Sequence, residues 1–134
     1  KWKDGPITCF GVQVAGFPNM FMLAGPQGAS VASNFPPAIE AAVDWAADFM
    51  EQLYKEGVDR VEADADAESE WQEYVKSFYE TSLLAGTQSW FTGYNSNVEG
   101  HDKLRHMIYL GGAPAYRRIL SEAADNGYPQ FKTR

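Results

Sequence analysis

Paired prolines followed by a long helical repeat constrain this chain more than any other feature. After Pro36 and Pro37 the apolar positions Ile39, Val43, Ala46, Met50 and Leu53 step by four, three, four and three, with Glu40, Asp44, Asp48 and Glu51 between them. That spacing predicts an amphipathic helix with one apolar stripe. Proline at a helix start forfeits no hydrogen bond, Ser33 or Asn34 stands where an N-cap side chain accepts from the first free N–H groups, and Gly57 ends the helix. A short extended piece, Val58 to Asp64, leads into a second helix from about Ala67 to Leu84. The acidic groups of Asp66, Glu68 and Glu70 suit its N-terminus, and Trp71, Tyr74, Val75 and Phe78 form its inner face. A third helix runs from about Pro114 to Asp125 and stops at Asn126-Gly127.

The remaining segments read as strands and ordered loops. Ile7 to Leu23 is rich in Val, Phe, Met and Ile and predicts a buried strand ending at Gly25-Pro26, before a loop of small residues. Ser89 to Arg105 mixes aromatics with turn formers and reads as a long ordered loop, followed by a short strand, Met107 to Leu110, and the turn Gly111-Gly112. The fold class is α/β, with short strands and about three helices, in a single unit over residues 1–134. At 45% apolar and 22% charged residues the chain can bury a sizeable core.

Composition excludes several functions. A net charge of -7, with Arg117-Arg118 as the one basic cluster, argues against nucleic-acid binding. The single cysteine, Cys9, forms no internal disulfide, which makes the cytoplasm the expected location. The run from Phe17 to Ala24 is interrupted by Pro18 and Asn19 and is too short for a membrane span. The chain opens without methionine and enters a strand-like run within a few residues, which suggests a piece of something longer.

Familiar site patterns are absent or incomplete. His101 and His106 have no cysteine pair and no carboxylate at ligand spacing, so no metal site is expected and both read as surface histidines. Gly28-Ala29-Ser30-Val31-Ala32 resembles a nucleophile elbow but lacks its final glycine. Neither a G-x-G-x-x-G turn nor a P-loop is present, so the chain supplies no pyrophosphate-binding turn and no catalytic residue is assigned. What remains is a strand, a small-residue loop and a helix start. Two readings of it stand side by side: free N–H groups facing an anionic or electron-rich ring edge, or glycines kept small because the loop packs against another backbone.

Three segments carry a family resemblance. Gly16-Phe17-Pro18-Asn19-Met20-Phe21 with Gly25-Pro26-Gln27 and the loop to Asn34, then Ser89-Trp90-Phe91-Thr92-Gly93-Tyr94-Asn95, then Tyr109-Leu110-Gly111-Gly112-Ala113-Pro114-Ala115-Tyr116-Arg117 are similar, in order and distance, to segments of flavin-dependent Baeyer-Villiger monooxygenases. The resemblance runs from about Cys9 to Phe131 and matches the C-terminal quarter of such enzymes, nearest the branch acting on large-ring and steroid ketones.

The resemblance implies the C-terminal part of a Rossmann-like FAD-binding domain, in an enzyme that uses FAD, NADPH and O2 to insert one oxygen beside a ketone carbonyl. It implies cofactor-binding positions at Gly25 and Pro26, at Ser33, Asn34 and Phe35 near the flavin ring, and at Trp90 and Asn95 on a mobile loop that closes over NADPH. Ser30, Val31 and Ala32 fall on the substrate-lining loop, where small residues imply a roomy ketone pocket. The partners are then the ketone and the remainder of the flavoenzyme; the segment alone is expected to be inactive and to self-associate through uncovered strand edges. Asn95 to Lys103 departs from the family's N-I-P-G-K, and Gln27-Gly28-Ala29-Ser30 departs from its usual loop. The rival readings are a nitrogen- or sulfur-oxidising flavin monooxygenase and a stand-alone, non-catalytic binding module.

Overall fold

The computed structural model describes residues 1–28 and 34–134. It contains three helices, α1 (Phe35–Glu56), α2 (Ala65–Glu80) and α3 (Ala113–Asp125), and two short strands, β1 (Val61–Ala63) and β2 (Phe131–Thr133). The strands pair antiparallel, with Val61 opposite Thr133 and Ala63 opposite Phe131. Two 3-10 turns, Leu83–Gly86 and Trp90–Thr92, interrupt the long segment between α2 and α3.

Helix bounds follow local chemistry. Asn34 is the N-cap of α1, although its side chain makes no capping bond, and Gly57 closes the helix by donating to Tyr54. Asp64 caps α2 by accepting from the Asp66 amide at 2.8 Å. Helix α2 stops at Glu80, short of the expected Leu84, and the chain continues into the first 3-10 turn.

The phase of α1 differs from the sequence expectation. Its buried residues are Ala38, Ala42, Trp45, Ala46, Phe49 and Leu53, whereas Val43 and Met50 are exposed. Helix α1 is apolar around much of its circumference, so spacing sets its period but not its phase; the aromatics Trp45 and Phe49 turn inward because they bury the larger area. Phe49 stacks on Tyr128 at 3.8 Å, and Trp45 and Phe131 complete the cluster. The Trp45 indole donates to the Leu120 carbonyl at 2.9 Å, which ties α1 to α3. On α2, Trp71 and Val75 are buried as expected, but Tyr79 and Glu68 take inner positions while Tyr74 is exposed. Buried Glu68 is paired with Lys1 at 2.9 Å and accepts from the Ala15 amide at 3.0 Å.

Neither the buried strand expected over Ile7 to Leu23 nor the short strand expected over Met107 to Leu110 forms. Between Ile7 and Leu23 the chain turns repeatedly, buried from Thr8 to Ala15 and largely at the surface beyond, with Phe10, Gly11, Gly16 and Asn19 all at positive φ and a single bridge between Cys9 and Gln13. Continuous apolarity there signals burial, which an irregular segment meets equally well once its polar groups are paired. Asn19 shows how. Its amide donates to Val61 and its side-chain oxygen accepts from the Val61 amide, both at 2.9 Å, so this one residue satisfies the free edge of β1. Met107 to Leu110 is likewise irregular, because its backbone is held by side chains: the Tyr79 hydroxyl accepts from the Ile108 amide at 3.0 Å.

Candidate functional site

The turn Gly25-Pro26-Gln27-Gly28 is built by close backbone contact. Gly11, at φ +74°, lies so near Gly28 that a Cβ on it would collide with the Gly28 amide, and a Cβ on Gly25 would strike the Gly11 carbonyl. Of the two readings left open for these glycines, backbone packing therefore accounts for Gly11 and Gly25 directly. Tyr116 locks the same corner by donating from its hydroxyl to the Phe10 carbonyl at 2.6 Å.

Gln27, the last residue of the Gly25-Pro26-Gln27 segment, is the organising side chain of this turn. It is fully buried at φ +64°. Its amide donates to Met107 at 3.0 Å, its Nε2 donates to the carbonyls of Pro6 and His106, each at 3.0 Å, and to the Gln72 side chain. Its Oε1 accepts from the Thr8 amide at 3.2 Å and hydroxyl at 2.9 Å. A buried amide so fully paired rigidifies what it joins. No local sequence signal marks it, since every partner is distant along the chain.

A narrow crevice lined by Gly25, Gly28, Ala38, Ile39 and Ala42 sets this turn against the first turns of α1. Asn34 and Phe35 are exposed at the helix start. Of the four N–H groups a helix N-terminus leaves free, Pro36 and Pro37 remove two, so the anion-holding capacity is that of Asn34 and Phe35 alone. Arg117 of α3 donates to the Pro37 carbonyl at 3.1 Å and tethers this turn. Ser30, Val31, Ala32 and Ser33 lie outside the described residues.

Trp90 and Asn95 lie together on the second loop. Ser89 and Thr92 cap the Trp90 turn reciprocally: the Ser89 Oγ accepts from the Phe91 amide, and the Thr92 Oγ1 accepts from the Ser89 amide, both at 3.1 Å. Thr92 is buried, whereas Trp90 is 81% exposed, with the Phe91 ring beside it at 5.8 Å between centroids. Asn95 is exposed; its side-chain oxygen accepts from Asn97 at 3.0 Å and its amide donates to His101 at 2.9 Å.

The two loops meet through one three-residue segment, 105–107. Arg105 donates its amide to Thr92 at 2.8 Å, behind Trp90, and the His106 and Met107 carbonyls accept from Gln27. The histidines expected at the surface are both half-buried here. His101 accepts from the Arg105 guanidinium at 2.6 Å, and His106 packs edge-on against Tyr79. Burial, with Lys76 nearby, holds the His106 imidazole below the ordinary histidine range, and burial pushes the Cys9 thiol up. A separate cleft of about 440 Å³ between α1 and α3 is lined by Glu40, Asp44, Asp48 and Asp125 and takes in none of the expected site residues. Among the described residues no three ligating side chains group as a metal site, and no helix is long and apolar enough to cross a membrane.

No family model matches the chain. Individual proteins do. A cyclohexanone 1,2-monooxygenase from Acinetobacter is 36% identical over 130 residues, covering 97% of this chain and 23% of that enzyme. A phenazine N-monooxygenase from Lysobacter antibioticus is 38% identical over the same shares. In three dimensions the chain matches cyclohexanone monooxygenase from Rhodococcus bound to NADP+ with a TM-score of 0.89 at 32% identity, covering 99% of this chain and 24% of that one. The chain thus spans about a quarter of the length of the curated relatives it matches. The sequence and structure matches each cover nearly the whole of this chain, and on both grounds it is a homologue of one segment of the flavin-dependent Baeyer-Villiger and related monooxygenases.

Proposed function

We propose that residues 1–134 form a single C-terminal unit of a cytoplasmic flavoprotein monooxygenase that inserts one oxygen atom from O2 beside a ketone carbonyl, giving an ester or lactone. The observation that carries this reading is the 0.89 TM-score to an NADP+-bound cyclohexanone monooxygenase over 99% of the chain. FAD and NADPH supply the redox chemistry when bound; this chain orients and shields. Asn34 and Phe35, together with Gly25, Pro26 and Ser33, form the flavin-facing edge. Their modest donor count suits a ring edge better than a phosphate. Trp90 and Asn95 form the nicotinamide-facing edge, and the exposed Trp90 indole has the free surface that a closing, water-excluding contact requires. Ser30, Val31 and Ala32 line the ketone pocket, and their small size favours large rings.

The remainder of the flavoenzyme is the partner that covers this chain's apolar surface. Phe35, Val43, Met50 and Tyr54 form an exposed stripe along α1, and Phe17, Met20 and Leu23 add to the uncovered area. The isolated chain therefore self-associates and is inactive.

The test uses the full-length protein loaded with FAD. Ketone-stimulated NADPH oxidation with ester formation is expected, with Trp90→Ala raising the KM for NADPH and uncoupling its oxidation from ester formation. Replacing Ala32 by Phe is expected to lower turnover of large-ring relative to small-ring ketones. Unchanged coupling in the Trp90 variant removes the lid role. A second reading, nitrogen oxidation, is favoured by the 38% identity to a phenazine N-monooxygenase. N-oxide formation from aromatic amines without turnover of any ketone would establish it instead.

A further inference from the structure

Arg105 is a buried cation without a counter-ion. It is 9% exposed, and among the described residues no carboxylate lies within ion-pair distance of it. Its guanidinium donates instead to three neutral acceptors: the carbonyls of Gly100 at 3.1 Å and Lys3 at 3.3 Å, and the His101 Nδ1 at 2.6 Å. A guanidinium only donates, so Nδ1 must present its lone pair. The charged neighbours in sequence, Glu99, Asp102 and Lys103 on the loop and Lys3 and Asp4 on the amino-terminal segment, form no ion pair with either residue.

The aliphatic stem of Arg105 lies in a slot made by two glycines. A Cβ on Gly93 would come within 2.9 Å of the Arg105 Cβ, and one on Gly5 within 3.3 Å of its Cγ. Gly93 is also the residue that closes the Trp90 turn, donating to the Trp90 carbonyl at 3.0 Å. The Arg105 amide meanwhile holds Thr92. One side chain thus joins the Trp90 turn, the 100–101 loop and the amino-terminal segment.

We propose that Arg105 is the positioning residue of the Trp90 turn, fixing the direction in which Trp90 is presented, with His101 as its essential acceptor. This rests on the reading of Trp90 as the nicotinamide-facing residue. Lysine cannot replace the forked donor, because its ammonium is a single point that does not reach three separated acceptors. Glutamine at position 101 can replace the imidazole, because it offers an acceptor oxygen on a similar reach; phenylalanine cannot.

The experiment compares Arg105→Lys, His101→Gln and His101→Phe in the full-length protein by amide hydrogen exchange and by steady-state kinetics. For Arg105→Lys and His101→Phe, exchange in segment 89–94 should rise about tenfold, the size expected for losing one charge-assisted hydrogen bond, with exchange outside this turn, the 100–101 loop and the amino-terminal segment unchanged. The KM for NADPH should rise similarly while kcat stays within about twofold of wild type, since positioning a binding contact alters ground-state affinity first. His101→Gln should behave as wild type. The proposal is overturned if exchange in 89–94 stays at the wild-type rate, if it rises equally throughout the protein, or if His101→Gln is as damaging as His101→Phe. Raised local exchange with an unchanged KM upholds Arg105 and removes Trp90 from the nicotinamide-facing edge, so the two ideas fail separately.

Discussion

The Tyr116 hydroxyl donates to the Phe10 carbonyl at 2.6 Å, joining α3 to the turn that supports Gly25 and Gly28. Tyr116 is fully buried, so removing its hydroxyl leaves that carbonyl without a partner and without water. Tyr116→Phe should cost about 1–3 kcal/mol, the usual penalty for an unpaired buried acceptor. A urea titration reads this as a lower midpoint at unchanged slope; an unchanged midpoint would mean that the carbonyl finds another donor.

Two glycines separate close packing from mere flexibility. Alanine at Gly11 meets the Gly28 backbone and a left-handed φ together, while alanine at Gly86 meets nothing within 4 Å and no positive φ. Gly11→Ala should therefore destabilise by more than about 3 kcal/mol, beyond an ordinary surface change, and Gly86→Ala by less than about 0.5 kcal/mol. Comparable losses for the two in chemical denaturation would contradict the contact.

His106 gives the fold an acid-side weakness. Burial lowers its folded pKa beneath the unfolded value of about 6.5, so the unfolded chain binds more protons below that pH. The stability tied to the neutral imidazole is fully present above about pH 6.5 and is lost as pH falls through the lower folded value. Glu62 and Asp64, both held below the usual carboxylate range by their partners, remain ionised in this window. His106→Phe keeps a ring against Tyr79 and should lose less stability than wild type between pH 7.5 and 5.5. Parallel losses in the two proteins would rule the imidazole out.

Self-association of the isolated chain should depend on the outer stripe of α1. Met50 is half exposed and Tyr54 is 86% exposed, so Met50→Lys with Tyr54→Lys costs the fold little and charges the stripe. Light scattering should show a smaller species for the double variant. A monomeric wild-type chain at every concentration would disprove the association itself.

The helices were legible because their signals are local. Pro36-Pro37 with Gly57, and Asn126-Gly127, bound α1 and α3 within a residue or two. The phase of α1 was not legible, because Ile39, Val43 and Met50 offer a second apolar stripe beside the one that Trp45 and Phe49 bury. The irregular segments were read as strands because apolarity does not report geometry; their pairing depends on Asn19, Gln27 and Tyr79, whose partners are far off in sequence. At the candidate site, Gly25, Pro26, Asn34, Phe35, Trp90 and Asn95 were expectations from the resemblance; the structure puts Gly25 and Pro26 in a turn, Asn34 and Phe35 at the start of α1, and Trp90 and Asn95 on the segment between α2 and α3. Arg105 escaped notice because a lone arginine ending a polar loop gives no hint that it is buried without a carboxylate.

Cys9 has no exposed surface, and its thiol is held in the unreactive protonated form. It is the chain's only cysteine and sits beside the Gly11 turn. A thiol reagent can reach it only when that corner opens, so the rate of its modification serves as a clock for opening. Because the same corner carries the Gly25–Gly28 turn, this one chemical label times the breathing of that turn directly.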